Sequence, residues 1–225
     1  MHNAQHKMHP LAESIKKASK SLRFKGMVGV TTFIKKDLMR NIKYVPPPEA
    51  RIKGKGKKAK SSVAIRRRGL SLGRRLDKSL QEYVEKGTRC VQIAAVIRRL
   101  KASGLTLIAV QVPVAVKRLK IKTHIDALAI NGSGDVYCVE LKNTQMSISQ
   151  HEKSYHLPAM RNSKLTNGLL NSEHNRHGLQ AFFGTIGLQE CYSIKSRALV
   201  IINCANGVRL QRFESNTFTL GHFYS

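Results

Sequence analysis

The sequence predicts an α/β protein in which helices flank a mixed central sheet. Three observations predict it: apolar residues at helical spacing over 71–86, a β-branched apolar run over 105–116, and two strand-like runs, 121–130 and 135–142, joined by a glycine-rich turn. Strands interleaved with amphipathic helices pack with the helices on the faces of one sheet. The main elements follow the order helix, strand, strand, strand, helix, strand.

Two helices are predicted ahead of the first long strand. The first covers 71–86, ends before Gly87, and repeats its apolar positions at Leu72, Leu76, Leu80 and Tyr83. The second covers 89–102, and its buried side is expected to comprise Val91, Ala94, Ala95, Ile97 and Leu100. The run that follows, over 105–116, is nearly all apolar, which is typical of a buried strand.

The C-terminal third of the chain is predicted as loop, helix and two strands. A polar stretch over 143–172 has few periodic apolar positions and indicates a loop with a short helical piece. A helix is expected over 174–187, although two internal glycines weaken that prediction. RALVIINC (197–204) is typical of a strand, and Asn206-Gly207 predicts a turn into a further strand.

Residues 1–68 differ in composition from the rest of the chain. They are rich in Lys and Arg, hold few acids, and contain three consecutive prolines before a Gly/Lys run. Proline stops a helix, and the mutual repulsion of the lysines favours an extended chain. We therefore expect 1–45 to form a loosely folded, partly disordered basic arm with two short helices, and 46–64 to form a linker. Residues 69–225 are expected to form the compact domain.

The charge of the chain indicates a polyanionic partner. Lys and Arg number 40 against 13 Asp and Glu, which gives a net charge of +27. Such an imbalance attracts nucleic acid or anionic lipid through its long-range field. The sequence has no apolar run of about 18 residues, so a membrane partner is not expected.

The cysteines indicate a reducing compartment. They lie in apolar or strand-like runs and form no C-x-x-C pair, at Cys90, Cys138, Cys191 and Cys204. This spacing is typical of buried, reduced thiols and does not indicate zinc. The protein is therefore expected inside the cell, where nucleic acid is present. A nucleus, a mitochondrion and a virus-associated setting all meet that description.

Asp126, Glu140 and Lys142 are the residues best suited to chemistry. Glu140 and Lys142 are two apart in one strand and share a face, and Asp126 lies in the partner strand. Burying such charges in apolar strands is unfavourable unless they have a partner or a ligand. Carboxylate oxygens suit Mg²⁺ or Mn²⁺, and the backbone carbonyl of Leu141 is a further candidate ligand. The alternative is an exposed salt bridge on an ordinary hairpin.

The register of the hairpin decides whether Asp126 meets Glu140. A two- or four-residue loop places Asp126 opposite Val139 and on the wrong face, whereas a five-residue loop over 131–135 pairs Asp126 with Glu140. Two glycines in this turn make such a loop or a bulge easy to form. We therefore predict an irregular turn or a bulge near Asp126.

These residues resemble a known group of nucleases. THIDAL and ELKNTQ, with 13 residues between their Asp126 and Glu140, look like the motifs of the PD-(D/E)XK nuclease superfamily, especially its RecB-like and lambda-exonuclease-like branches. The resemblance implies a restriction-endonuclease-like core of order αβββαβ, with Asp126 and Glu140 as metal ligands and Lys142 as the catalytic lysine. It also implies an acid on the first core helix, for which Asp77 and Glu82 are the candidates.

Further residues are expected to contact nucleic acid. By the same resemblance, polar side chains near the site are Gln145, His177 and Gln180. Basic clusters expected to neutralise phosphates are Lys117, Arg118, Lys120, Lys122, Arg66, Arg67 and Arg68.

The resulting interpretation is an Mg²⁺- or Mn²⁺-dependent deoxyribonuclease. Because the resemblance runs to the RecB-like branch, exonuclease action or the processing of DNA ends and flaps in replication, repair or recombination is favoured over sequence-specific cutting. Two alternatives stay open: a non-catalytic basic nucleic-acid-binding or packaging protein, and an RNA-directed nuclease on the same fold.

Overall fold

The described residues form both helices and strands, in runs of up to three consecutive elements of one kind. The computed structural model describes residues 8–38, 58–144 and 173–213. Its elements are α1 (Pro10–Ser19), β1 (Val28–Gly29), α2 (Val30–Phe33, continued by a π-helical turn at Ile34–Leu38), α3 (Lys58–Lys86), α4 (Val91–Ala102), β2 (Leu105–Val116), β3 (Ile121–Asn131), β4 (Val136–Asn143), α5 (Glu173–Tyr192), β5 (Ser196–Cys204) and β6 (Gly207–Phe213). A 3₁₀ turn at Lys117–Leu119 joins β2 to β3. From residue 145 onward, the loop predicted over 143–172 lies outside the described residues.

The described strands form one mixed, open sheet. β2 pairs antiparallel with β3, and β3 pairs antiparallel with β4. β4 then pairs parallel with β5, and β5 pairs antiparallel with β6. The short β1 adds a parallel partner at the beginning of β3. The α/β class and the mixed central sheet are therefore confirmed.

Helices cover both faces of the sheet. On one face, α3 and α4 bury a cluster that includes Leu80 and Ile93 against odd-numbered residues of β4 and β5, such as Val139 and Leu199. On the other face, α5 packs on the opposite side chains of β5, including Val200. Among the described helices, none has both the length and the apolar run needed to cross a bilayer.

The prediction of a loose N-terminal arm is wrong for residues 8–38. Ala12 and Ile15 of α1 are buried against β2, and Ile34 and Leu38 of the α2 segment are buried against α5. These apolar residues recur three or four positions apart, so one face of each short helix packs on the domain although most of its other residues are polar. Composition alone misassigned this segment.

Two helix predictions also need correction. α3 begins at Lys58, inside the stretch predicted as linker, and continues without a break to Lys86. In α4, Val91 is 89% exposed, and the buried face is formed by Ile93, Val96 and Leu100. Val91 is the first residue of its helix, two positions before Ile93, the first residue of the buried face.

The glycines of α5 allow the helix to lie close against the sheet. A Cβ built at Gly187 would lie 2.8 Å from Val114 Cβ, and a Cβ at Gly184 would meet Cys138 Sγ and Ile125 Cγ1. Carbon atoms in contact sit about 3.5–4.0 Å apart, so neither position has room for a methyl group. Gly184 is one of the two glycines that weakened the sequence-based helix prediction, the other being Gly178, yet Gly184 and Gly187 allow α5 to lie close to β2, β3 and β4.

We predict that Gly187→Ala destabilises the protein by about 1–3 kcal/mol, because overpacking a close helix–sheet contact displaces backbone. Gly73→Ala on α3 is the matched control, since a Cβ there meets nothing within 4 Å. Gly73→Ala is expected to stabilise the protein by roughly 0.5–1 kcal/mol through helix propensity. Urea unfolding of both variants measures the difference. Equal stabilisation by both substitutions would contradict the close packing of α5.

Candidate active site

The two central strands separate at the predicted site. β3 and β4 pair from Ile130↔Val136 to Ala127↔Val139, and the paired ladder ends there. The next position in the same register would set Asp126 opposite Glu140. β4 is paired with β5 along its whole length, so beyond this point Glu140, Leu141 and Lys142 keep only their β5 partners among the described strands. A cleft in the sheet therefore opens at Asp126.

The same edge of β3 stays open beyond Asp126. β2 occupies the other edge of β3 along its length, so β1 and β4 share this one. β1 reaches it only at Ile121 and Lys122. Between these contacts, residues 123–126 face no paired strand within the part of the chain that the structure describes. The cleft is thus bounded by β4 at one end and by β1 at the other.

The predicted irregularity near Asp126 is confirmed. The turn that joins β3 to β4 is the five-residue loop 131–135, as the paired ladder starts at Ile130↔Val136. Ile125 packs in the core cluster on the α5 face, and Ala127 packs in the cluster under α3 and α4. Regular alternation would place both on one face, so the alternation breaks at Asp126.

The partner strand β2 is irregular at the same level. Pairs on either side, Val110↔Ala127 and Val112↔Ile125, set Gln111 across from Asp126. Gln111 has a φ of 50°, a left-handed conformation that is uncommon outside glycine. Nothing in the sequence signals this conformation at a glutamine. Gln111 is a structural contributor to the site that sequence reasoning missed.

The three predicted side chains converge at the cleft. Leu141 N–H donates a hydrogen bond to Asp126 Oδ2 over 2.8 Å. Lys142 Nζ forms an ion pair with Glu140 Oε1. Glu140 is one of the few buried charged residues of the described chain, with 8% of its surface exposed. Lys142 keeps 31% of its side chain exposed, so solvent reaches the cluster along its ammonium group.

The Leu141 hydrogen bond also orients a carbonyl. In a strand, the N–H and C=O of one residue point to the same edge. Because Leu141 N–H points to Asp126, its carbonyl oxygen faces the cleft as well. The backbone of β4 therefore offers a third oxygen beside the two carboxylates.

Asp77 is the first-helix acid that adjoins this cluster. α3 packs against β4, and the charge of Asp77 acts on Asp126, Glu140 and Lys142. Glu82 lies elsewhere: its Oε1 is 3.8 Å from Lys78 Nζ, and its Oε2 accepts a hydrogen bond from Cys90 Sγ. Of the two candidate acids on the first core helix, Asp77 therefore lies beside the cluster and Glu82 does not.

Burial and neighbouring negative charge raise the pKa values of the acids in the cluster. Burial, reinforced by the Glu140 carboxylate, raises the pKa of Asp126 to about 7, although Lys142 and the Leu141 N–H oppose the rise. Burial raises the pKa of Glu140 and of Asp77 as well, with Lys142 opposing both. Two adjacent desolvated carboxyl groups cannot both ionise easily. The cluster therefore favours a proton or another cation beside Asp126.

Lys142 remains a cation in this setting. Burial lowers the pKa of Lys142, but the Glu140 and Asp126 carboxylates outweigh that effect and raise it. The ammonium therefore keeps its proton at neutral pH, and the side chain acts as a donor of charge and hydrogen bonds. Cys138 lies two residues before Glu140 in β4. Burial and the Glu140 and Asp126 carboxylates raise the pKa of its thiol, so the thiol stays protonated.

The donor set fits a hard divalent cation. Asp126 and Glu140 provide carboxylate oxygens, the Leu141 carbonyl faces the same cleft, and burial leaves the two acids in need of positive charge. Within the described residues, no three His, Cys, Asp or Glu side chains are grouped closely enough to hold a metal by themselves. Mg²⁺ commonly binds through one or two carboxylates and keeps several waters. The oxygen atoms of Asp126, Glu140 and Leu141 are ligands of this kind.

The remaining predicted residues lie outside the cluster. Gln180 Nε2 donates to Thr31 Oγ1 over 2.9 Å, so it contacts the α2 segment. His177, three residues earlier on α5, is partly buried. Lys117 N–H donates to Glu190 Oε2 over 2.7 Å, and Arg118 Nε is 3.7 Å from Glu190 Oε1.

Other predicted contacts are exposed or undescribed. Lys120 and Lys122 are exposed at the start of β3. Gln145 lies outside the described residues, and so do the side chains of Arg66, Arg67 and Arg68, whose backbone belongs to α3.

Comparisons with known proteins leave the family open. No protein-family model matches this chain, and no curated protein matches it. The class of protein and its activity are therefore argued from the geometry of the cleft.

We predict that Asp126→Asn stabilises the metal-free protein at pH 8 and not at pH 4. The folded pKa of Asp126 is about 7, above its ordinary value of 3.8. The protonated Asp126 side chain therefore makes its full contribution to the free energy of unfolding below pH 4. This contribution is lost as the pH rises from 4 to 7. The asparagine side chain of the variant does not titrate. The free energy of unfolding of the variant should therefore exceed that of the parent by roughly 2–4 kcal/mol at pH 8. Urea unfolding with a chelator at both pH values measures this.

Asp37→Asn is the matched control, because Asp37 is exposed in the α2 segment. It should change stability little at either pH. A stability gain for Asp126→Asn that is the same at pH 4 and pH 8 would show that titration of Asp126 is not its cause.

Proposed function

We propose that the protein is a metal-dependent nuclease of the PD-(D/E)XK type that hydrolyses DNA phosphodiester bonds with Mg²⁺ or Mn²⁺. The observation that carries the proposal is the convergence of Asp126, Glu140 and Lys142 where β3 and β4 separate. An ordinary hairpin salt bridge would be exposed and would leave the strands paired. Here the acids are buried and the sheet is open beside them.

Asp126, Glu140 and the Leu141 carbonyl are the groups that would hold the cation, with Asp77 adding negative charge from α3. When bound, Mg²⁺ or Mn²⁺ polarises a phosphate and lowers the pKa of a water molecule. Asp126 must lose its proton for this binding, and its raised pKa sets that loss near pH 7. Cation affinity is accordingly expected to increase between about pH 6 and pH 8.

Lys142 would act on the phosphate as a cation. Its ammonium is held by Glu140 and is partly exposed at the cleft. Preorganised charge in a site of low polarity stabilises the negative charge that develops on a phosphate oxygen during hydrolysis. Because its pKa is raised, Lys142 donates hydrogen bonds and does not serve as a general base.

The charge of the whole chain supports a nucleic-acid substrate. A net charge of +27 surrounds a local cluster of acids, and its field draws phosphate chains towards the surface. Exonuclease action or the processing of DNA ends and flaps is the proposed form of the activity. It rests on the resemblance to the RecB-like branch.

We predict that Glu140→Gln and Lys142→Ala each lower the rate of DNA degradation by about 100-fold or more, because Glu140→Gln removes a proposed cation ligand and Lys142→Ala removes a positive charge beside the reacting phosphate. The matched controls are Glu13→Gln and Lys101→Ala, which change exposed residues of α1 and α4. Release of label from linear, circular and single-stranded DNA, with Mg²⁺, Mn²⁺ or chelator, measures the rate.

Degradation that persists in both site variants would refute the assigned residues. DNA binding by the parent protein without cleavage under any metal would support the non-catalytic binding or packaging alternative. Matched RNA substrates in the same assay test the RNA-directed alternative, which preferential RNA cleavage would support.

A further inference from the structure

A groove of about 250 Å³ continues from the open edge of β3. One wall is β3 from Lys122 to His124, and the other wall is Gly29 of β1 with Thr31 at the start of α2. Gln180 of α5 holds Thr31 in place through its 2.9 Å hydrogen bond. The Gly29↔Lys122 strand pair lies at one end of the groove, and Thr123 and His124 line the stretch of β3 where no described strand is paired.

The groove combines an aromatic ring with positive charge. Phe24 lines it and is only partly buried, and its chain neighbours Arg23 and Lys25 are exposed. Lys122 lines the groove from β3 and is exposed. Aromatic rings within a basic groove are the features with which proteins bind single-stranded nucleic acid, by base stacking and phosphate neutralisation.

The groove ends at His124, close to the carboxylate cluster along β3. His124 precedes Asp126 by two residues, a distance of about 6.6 Å along a strand, and Lys122 lies about 13 Å from Asp126. These steps match the advance of a nucleic-acid chain by one or two nucleotides. A strand with one phosphate at Asp126 and Glu140 would therefore carry its next nucleotides into the groove.

We propose that this groove binds the nucleotides that adjoin the cleaved phosphate, as a single strand. Lys122 neutralises a phosphate, and the Phe24 ring stacks on a base. The proposal rests on the proposed nuclease function, which defines the cleaved phosphate. Binding of a single strand in the groove does not itself require catalysis. It names the substrate as a single-stranded end or flap, because an aromatic side chain stacks on a base only where that base is unpaired and unstacked.

Gly29 offers a way to fill the groove without disturbing the fold. A Cβ at Gly29 meets nothing within 4 Å, and the residue has a φ of −64° and a ψ of 139°, which any residue adopts. Gly29→Leu therefore places a side chain in the groove. Gly132→Leu is the matched control, since a Cβ in that β3–β4 turn also meets nothing within 4 Å.

The test is fluorescence anisotropy with a short labelled single-stranded oligonucleotide and with a duplex of the same length. Chelator and the Glu140→Gln background prevent cleavage. Gly29→Leu and Phe24→Ala are each expected to weaken single-strand binding by about tenfold. Gly132→Leu should bind as the parent does. Thermal melts confirm that each variant is folded.

A charge-matched pair isolates the role of Lys122. Lys122→Ala and Lys101→Ala remove the same charge, but only Lys122 lines the groove. If Lys122 contacts a phosphate, the slope of log affinity against log salt falls by about 0.7 in Lys122→Ala alone. Equal slopes in the two variants would overturn this contact.

The outcomes separate the groove from the nuclease activity. Unchanged single-strand binding in Gly29→Leu, or an equal loss for duplex, overturns the groove proposal even when the parent protein cleaves DNA. Weaker single-strand binding in Gly29→Leu supports the groove even when the parent protein cleaves nothing, in which case the nuclease proposal alone fails.

Discussion

The joint burial of Asp126 and Glu140 is the constraint on which the rest of the site depends. Desolvation raises the pKa of both acids, and the Glu140 carboxylate raises the pKa of Asp126 further. Lys142 pairs with Glu140 and compensates part of this charge. Asp77 adds further negative charge from α3. The cluster therefore has an excess of negative charge that a proton or a cation can offset.

The separation of β3 from β4 is maintained by the same residues that define the cluster. Leu141 N–H points towards β3, and the Asp126 carboxylate accepts its hydrogen bond where the paired ladder has ended. A buried N–H without an acceptor would be unfavourable, so the side chain supplies what the lost strand pairing would have provided. On the far side of β3, the left-handed backbone of Gln111 coincides with the change of face at Asp126. Structure and candidate function thus share one set of interactions.

The sequence predicts the local parts of this fold well and the long-range parts poorly. Period-two patterns locate β3 and β4, and the five-residue loop sets their register, because both depend on neighbouring residues. The φ of Gln111 and the approach of Asp77 depend on distant packing and have no local signature. Glycines 184 and 187 argue against a helix by propensity, although close contact with the sheet requires them. The packing of Ile15 and Leu38 was hidden by the basic composition around them.

The opposition between the global and the local charge is the physical basis of the proposed cation at this site. A net charge of +27 draws a phosphate chain to the surface, but the acids at the cleft repel the phosphate that reaches them. Lys142 offsets only part of that repulsion because it is already paired with Glu140. A divalent cation held by the carboxylates would supply the positive charge that offsets this repulsion. The open edge of β3 beside the cluster then leaves the chain a route along the sheet, from Asp126 towards Lys122.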